Sequence, residues 1–259
     1  MAAFADLLWV ELLKARRSAV PFYTALGALF MPLGVAFLIF LAKNPELSHR
    51  LGLVGAKANL TAYFATTWSS YLALCGQIIA AGGFFIFVLA ASWIFGREFV
   101  DGTLKDLLAV PVPRTGLVLA KFAVLAIWSG AITLLILGLS LLLGGLIALP
   151  GASTGVLVQG CAADLAAAAM VILVVLPFGL FASLGRGYLL PMGLAVLLLV
   201  MANLVQVAGW GDYFPWAIPA LFAQGTQSLP ALSFASVLFT GLAGILGTCL
   251  WWKYADQNR

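Results

Sequence analysis

The sequence predicts an all-α integral membrane protein with six transmembrane helices. Two observations predict it. The chain has 259 residues, 64% apolar and 8% charged, whereas a soluble domain carries about 25% charged residues. The apolar residues also come in long uncharged runs of leucine, alanine and glycine, as helical spans require. The short apolar–polar alternation of barrel strands is absent.

Residues 3–17 predict an amphipathic helix lying in the interface plane. Ala5, Leu8, Leu12, Ala15 and Ala19 share one face, with Asp6, Glu11, Lys14 and Arg17 roughly opposite. Acids and bases inside this stretch argue against a cleavable signal peptide. Span 1 covers about Ala19–Leu41, and a polar loop follows. Residues 58–96 carry no charge, and a single helix of that length would run about 58 Å, too long for one crossing. "TAYFATTWSSY" is therefore read as an interfacial or re-entrant piece, and span 2 as Leu72–Phe95.

Span 3 is placed at Phe122–Leu149, the tight turn "PGASTG" follows, and span 4 covers Val156–Leu184. "GRG" at 185–187 is a second tight turn, and span 5 ends near Val207. Residues 210–230 are rich in aromatics, glycine and proline and read as interfacial, with Trp210, Tyr213 and Trp216 at headgroup level. Span 6 is Leu232–Trp252. One membrane domain accounts for residues 1–259, with no soluble domain beside it.

Lysine and arginine set the orientation. Six spans leave Lys14, Arg16, Arg17, Arg97, Lys105, Arg114, Lys121, Arg186, Lys253 and Arg259 on one side, against Lys43, Arg50 and Lys57 on the other. Both termini are thus expected in the cytoplasm. A net charge of +4 gives no sign of nucleic acid. Cys75, Cys161 and Cys249 have no CxxC spacing, and the single histidine, His49, sits in a polar loop. Zinc and haem sites are not expected. No G-x-x-x-x-G-K-[ST] phosphate loop occurs, and no span pairs a nucleophile with a base. The chain is therefore read as non-enzymatic. Asp164 is the one acid well inside a span. It either snorkels to the outer interface or lines a wet cavity and contacts substrate.

Charge concentrates between spans 2 and 3, in "GREFVDGTLKDLLAVPVPRTGLVLAK" (Gly96–Lys121). Gly102 permits a sharp bend out of span 2. Thr103 through Asp106 fits a loose capping box. Leu104, Leu107 and Leu108 then share a face of a short helix, which Pro111 ends by pushing Val110 out of the helical region. Pro113 readies the chain to re-enter a helix at Arg114 or Thr115. The product is a two-turn helix between two spans, presenting leucines with Lys105 and Asp106. It suits either a protein groove or the bilayer surface.

The pattern Glu98-x3-Gly102-Thr103-Leu104-x2-Leu107-Leu108-x2-Pro111-x2-Arg114-x6-Lys121 resembles the segment between spans 2 and 3 of type-2 ATP-binding cassette exporter permeases, the family of drug-resistance and bacteriocin-immunity permeases. "ELLKARRS" before span 1 is similar to that family's N-terminal connecting helix. The resemblance implies a connecting helix at 1–18, a cytoplasmic coupling segment at 97–115 and a re-entrant outer hairpin at 210–230. It implies that Glu98, Gly102, Thr103, Leu104, Lys105, Leu107, Leu108, Pro111 and Arg114 dock on a separate ATPase, with Glu98 anchoring the end of span 2 or bridging to the N-terminal helix. ATP and magnesium would belong to that ATPase, this chain binding no cofactor. Two permease protomers, identical or homologous, would work with two ATPases in a bacterial or archaeal plasma membrane. The cargo would be amphipathic or hydrophobic: a drug, an antimicrobial peptide or a lipid-like molecule. The importer pattern, Glu-Ala-Ala followed by three residues and then glycine, is not met. A stand-alone channel or secondary carrier, and a membrane anchor for a cytoplasmic partner, are the alternative classes.

Overall fold

The computed structural model describes residues 4–43, 67–109, 111–225 and 229–254, and among them there are helices and no strands. In chain order they are α1 (Phe4–Arg16), α2 (Val20–Lys43), α3 (Trp68–Ile78), α4 (Phe84–Val100), α5 (Leu104–Ala109), α6 (Arg114–Leu146), α7 (Thr154–Val175), α8 (Pro177–Leu184), α9 (Leu189–Val207), α10 (Ile218–Gln224) and α11 (Ala231–Tyr254). Six helical stretches are long and apolar enough to cross a membrane: Val20–Leu41, Trp68–Val100, Arg114–Leu146, Thr154–Leu184, Leu189–Val207 and Ala231–Tyr254.

Span 2 begins earlier than its composition suggests. Thr67 and Ser70 form a reciprocal capping box, and Trp68–Tyr71 make the first turn of α3. These residues are therefore not an interfacial piece, and the rest of that predicted segment, 61–66, lies outside the described residues. The Trp68 amide donates to the Pro150 carbonyl at 3.1 Å, tying this end of span 2 to the turn between spans 3 and 4. A single π-helical turn, Ile79–Gly83, joins α3 to α4. The whole stretch Trp68–Val100 extends about 50 Å, long enough to carry Arg97 and Glu98 beyond the hydrocarbon core.

Span 4 runs as one helical stretch, Thr154–Leu184, as the sequence suggested, with a local break in its hydrogen bonding at Leu176. Pro177 has no amide hydrogen and starts α8 as its first residue. Gly244 of α11 fits against this break, where an added Cβ would lie 2.5 Å from Pro177 N. Small residues allow such backbone contact between membrane helices. Trp216 Nε1 donates to the Val174 carbonyl just before the break, at 3.1 Å. Trp216 is thus held half-buried against the bundle, while Trp210 and Tyr213 are exposed. Gly211–Tyr213 forms a 3-10 turn, and α10 packs against α3 and α7.

The core is centred on α4, α6, α7 and α8. Phe87, Phe95, Leu125, Ile136 and Phe178 are all almost fully buried there. By contrast α2, α9 and α11 keep most of their apolar surface exposed. One end of the bundle gathers α1, α5, the 185–188 turn and the C-terminal turn of α11, and carries most of the described charges.

Candidate functional site

At this charged end, four ionisable side chains from three helices meet. Lys121, two turns into α6, is fully buried. Its ammonium donates to Glu98 Oε1 in α4 at 2.7 Å, to Glu11 Oε2 in α1 at 3.0 Å and to the Ile94 carbonyl at 3.0 Å. An ammonium has three donors, and all three are used. Lys14 of α1 completes the group, donating to Glu11 Oε1 at 2.5 Å and to Glu98 Oε1 at 3.2 Å. Two cations face two carboxylates, so the buried charge sums to zero. Lys14 is 26% exposed and is the member nearest solvent.

Burial alone would push the Glu11 carboxyl up. Lys121 and Lys14 overcome that penalty and hold it below its ordinary value of 4.5. Glu98 Oε2 is buried and has no hydrogen-bond partner. Glu98 therefore gives one oxygen to both lysines and leaves the other dry.

This cluster changes the reading of α1. Asp6 is exposed as expected, but Glu11 is turned inward: Leu7, Glu11 and Ala15 are the buried residues of the helix, with Leu8 and Leu12 half-buried and Ala5 exposed. Glu11 faces inward because α6 presents Lys121 there. Leu7 packs closely on the start of α6, where an added Cβ at Gly116 would lie 3.2 Å from Leu7 Cδ1.

The short helix between spans 2 and 3 is α5. The α4 helix ends with the Asp101 amide bonded to the Arg97 carbonyl at 2.8 Å, and Gly102 then takes φ +69°. That left-handed geometry is what glycine supplies at a helix end. The Leu107 amide donates to the Thr103 carbonyl at 3.1 Å as α5 begins. Pro113, extended, precedes α6, which starts at Arg114.

The residues singled out from the sequence divide into two groups. Glu98 and Leu104 are buried, at 2% and 7% exposure, and Leu107 packs on the core. The leucines at these two positions hold α5 to the bundle. Gly102, Thr103, Lys105, Asp106, Pro111 and Arg114 are exposed. The Leu108 side chain lies outside the described residues. Arg114 Nη1 donates to the Trp252 carbonyl at 3.3 Å, and the fully buried Trp252 indole donates to Ser183 Oγ at 2.9 Å. The last turn of span 6 is thereby tied to the start of span 3 and the end of span 4.

Glu11, Lys14 and Lys121 did not stand out as site residues from the sequence. Their signal was present: Lys121 sits between "GLVLA" and "FAVLAIW", and a lysine in such a run needs an acid partner. Asp164 lies away from this cluster, on α7. It is 2% exposed, with Oδ1 against Gly76, so it does not snorkel.

The family described as ABC-2 family transporter protein matches residues 7–203, which include α1, the ion cluster and α5. The bacitracin transport permease protein of Bacillus licheniformis is 29% identical over 174 residues, 66% of this chain and 84% of that protein. The chain therefore belongs to the ABC-2 transporter family, as the transmembrane permease subunit of an ATP-binding cassette exporter.

Proposed function

We propose that α5 is the coupling helix through which a separate ATP-binding cassette ATPase drives this permease. The observation carrying this reading is the exposed edge of α5, with Lys105 and Asp106 pointing outward while Leu104 is locked into the core. A rigid knob passes on displacement, and this one has two rigid attachments. Leu104 and Leu107 join it to the helix core. The Glu98–Lys121 pair clamps the two spans from which it hangs. Glu11 and Lys14 extend that clamp to α1, so α1 moves with α5. In this reading the docking surface is Gly102, Thr103, Lys105, Asp106, Pro111 and Arg114, and Glu98 acts as an internal strut.

ATP and Mg2+ are bound by the partner, and two protomers form the working unit in a bacterial or archaeal plasma membrane. Both termini and α5 face the cytoplasm, and residues 210–225 belong to a re-entrant outer segment; residues 226–228 of the predicted hairpin lie outside the described residues. The cargo is amphipathic or hydrophobic, such as a drug, an antimicrobial peptide or a lipid-like molecule. The relative named as a bacitracin transport permease supports a peptide-like cargo. The test is affinity purification of the tagged chain with its ATPase, followed by ATP hydrolysis by the purified complex. Reversing both exposed charges, Lys105→Glu with Asp106→Lys, is expected to remove the ATPase while the permease stays folded. Full retention of a coupled ATPase would sink the assignment of α5.

A further inference from the structure

Far from α5, the bundle contains a buried carboxylate with no counter-ion among the described residues. Asp164 is 2% exposed, and its Oδ2 has no hydrogen-bond partner. The space for it is made by Gly76, where an added Cβ would lie 2.6 Å from Asp164 Oδ1 and 3.0 Å from Ala223 Cβ. The side chain lines a cavity of about 210 Å3 between α3, α7 and α10, together with Ser69, Leu72, Gln159 and Phe222. No lysine, arginine or histidine occurs in α3, in the Ile79–Gly83 turn, in α7 or in α10. An ionised carboxylate in such surroundings is costly until a cation reaches it.

We propose that this cavity is a subsite for a protonated amine, an alkylammonium group on the transported cargo, with Asp164 as its counter-ion. The proposal rests on the reading of the chain as an exporter permease. A bare metal ion fits poorly, because hard cations want six or more oxygen ligands. The lining side chains offer only those of Asp164, Ser69 and Gln159, and the rest of the wall is mainly apolar. An alkylammonium matches both parts: three donors at its head, and a stem that lies along Leu72 and Phe222. Asp164 lies about 15 Å along α7 from its first residue, at the inner end of a cavity that reaches Val156, so the amine must shed water to reach it. The charge of Asp164 offsets that loss.

The test uses the purified permease–ATPase complex in lipid nanodiscs and the fluorescent amine dansylcadaverine. Dansylcadaverine is expected to bind, its N-acetyl derivative to bind far more weakly, and hexylamine but not hexanol to compete. Asp164→Asn should weaken amine binding about tenfold or more, as expected for loss of a charge-assisted contact. Its melting temperature should stay at or above the parent's, because an unpaired buried charge has been removed. Gly76→Ala keeps the charge but crowds the carboxylate, and should weaken binding too. Equal amine affinity in the parent and Asp164→Asn overturns the proposal, as does equal competition by hexanol. So does suppression of amine binding by potassium at concentrations that leave exposed sites unaffected. ATP hydrolysis and ATPase co-purification are read in parallel. If the ATPase is absent but amine binding depends on Asp164, the permease reading fails and the subsite stands. If the ATPase is coupled but amine binding ignores Asp164, the subsite alone fails.

Discussion

Lys121 Nζ lies 2.7 Å from Glu98 Oε1, and neither side chain reaches solvent. This pair joins spans 2 and 3 directly beneath the short helix that connects them. A loop hung between two unlinked spans could flex without moving either. Here the Glu98–Lys121 pair makes the hairpin a single rigid body.

Lys121→Met is expected to cost about 3–5 kcal/mol, because it strands Glu11 and Glu98 as buried acids without their main cation. Thermal unfolding in detergent would report it. Replacing Glu98 with Gln as well should recover part of the loss, since one stranded charge is then removed. A single variant that melts like the parent would show that the cluster contributes nothing to stability.

Acid should weaken the same cluster. The folded-state pKa of Glu11 is depressed below 4.5. Its contribution is therefore present above that value and is lost as pH falls through the folded pKa. The melting temperature of the parent should exceed that of Glu11→Gln at neutral pH. The gap should close as pH drops below 4.5. A gap constant across that range would contradict the assigned pairing.

Leu104 and Lys105 adjoin in sequence and should behave in opposite ways. Leu104→Ala removes a buried side chain and is expected to cost about 2–5 kcal/mol. Lys105→Glu changes an exposed residue and should move stability by no more than about 0.5 kcal/mol. Coupling should show the reverse selectivity: ATPase stimulation per folded molecule falls in Lys105→Glu. Paired melts and ATPase assays on the same preparations check this.

Gly244→Val should destabilise by about 1–3 kcal/mol or more. The added Cβ would meet Pro177 N and the Leu176 carbonyl carbon, at 2.5 and 2.8 Å, and backbone atoms at a helix break have little room to give. A Cβ added at Gly145 meets nothing within 4 Å, so Gly145→Val is the matched control. Comparable losses in the two variants would argue against close contact between α11 and the break in span 4.

Much of the molecule was legible along the chain. Runs of apolar residues, Gly102 and the proline pair act locally, and local rules recovered the six spans and the short helix from Leu104 to Ala109. They were least precise at boundaries and local irregularities. Composition puts the start of span 2 at Leu72, four residues inside the start that Thr67 and Ser70 cap at Trp68. Span 4 is one stretch as read, but its local break at Pro177 was not marked, because a proline in an apolar run can be accommodated with or without one; packing of Gly244 goes with the break.

The charges show the same division. The sequence by itself determined that charge gathers at one end of the bundle, because few ionisable residues can be placed inside apolar spans. Which charges are solvated and which are buried was decided only by tertiary structure. Lys105 and Lys121 are both lysines beside the same short helix, yet one is exposed and the other wholly enclosed. The difference is that Glu11, 110 residues away, swings in on α1 to meet Lys121. A burial cost that depends on a distant partner leaves no trace in local periodicity. Asp164 is the converse case, a charge whose burial becomes visible only once α3 brings Gly76 against it.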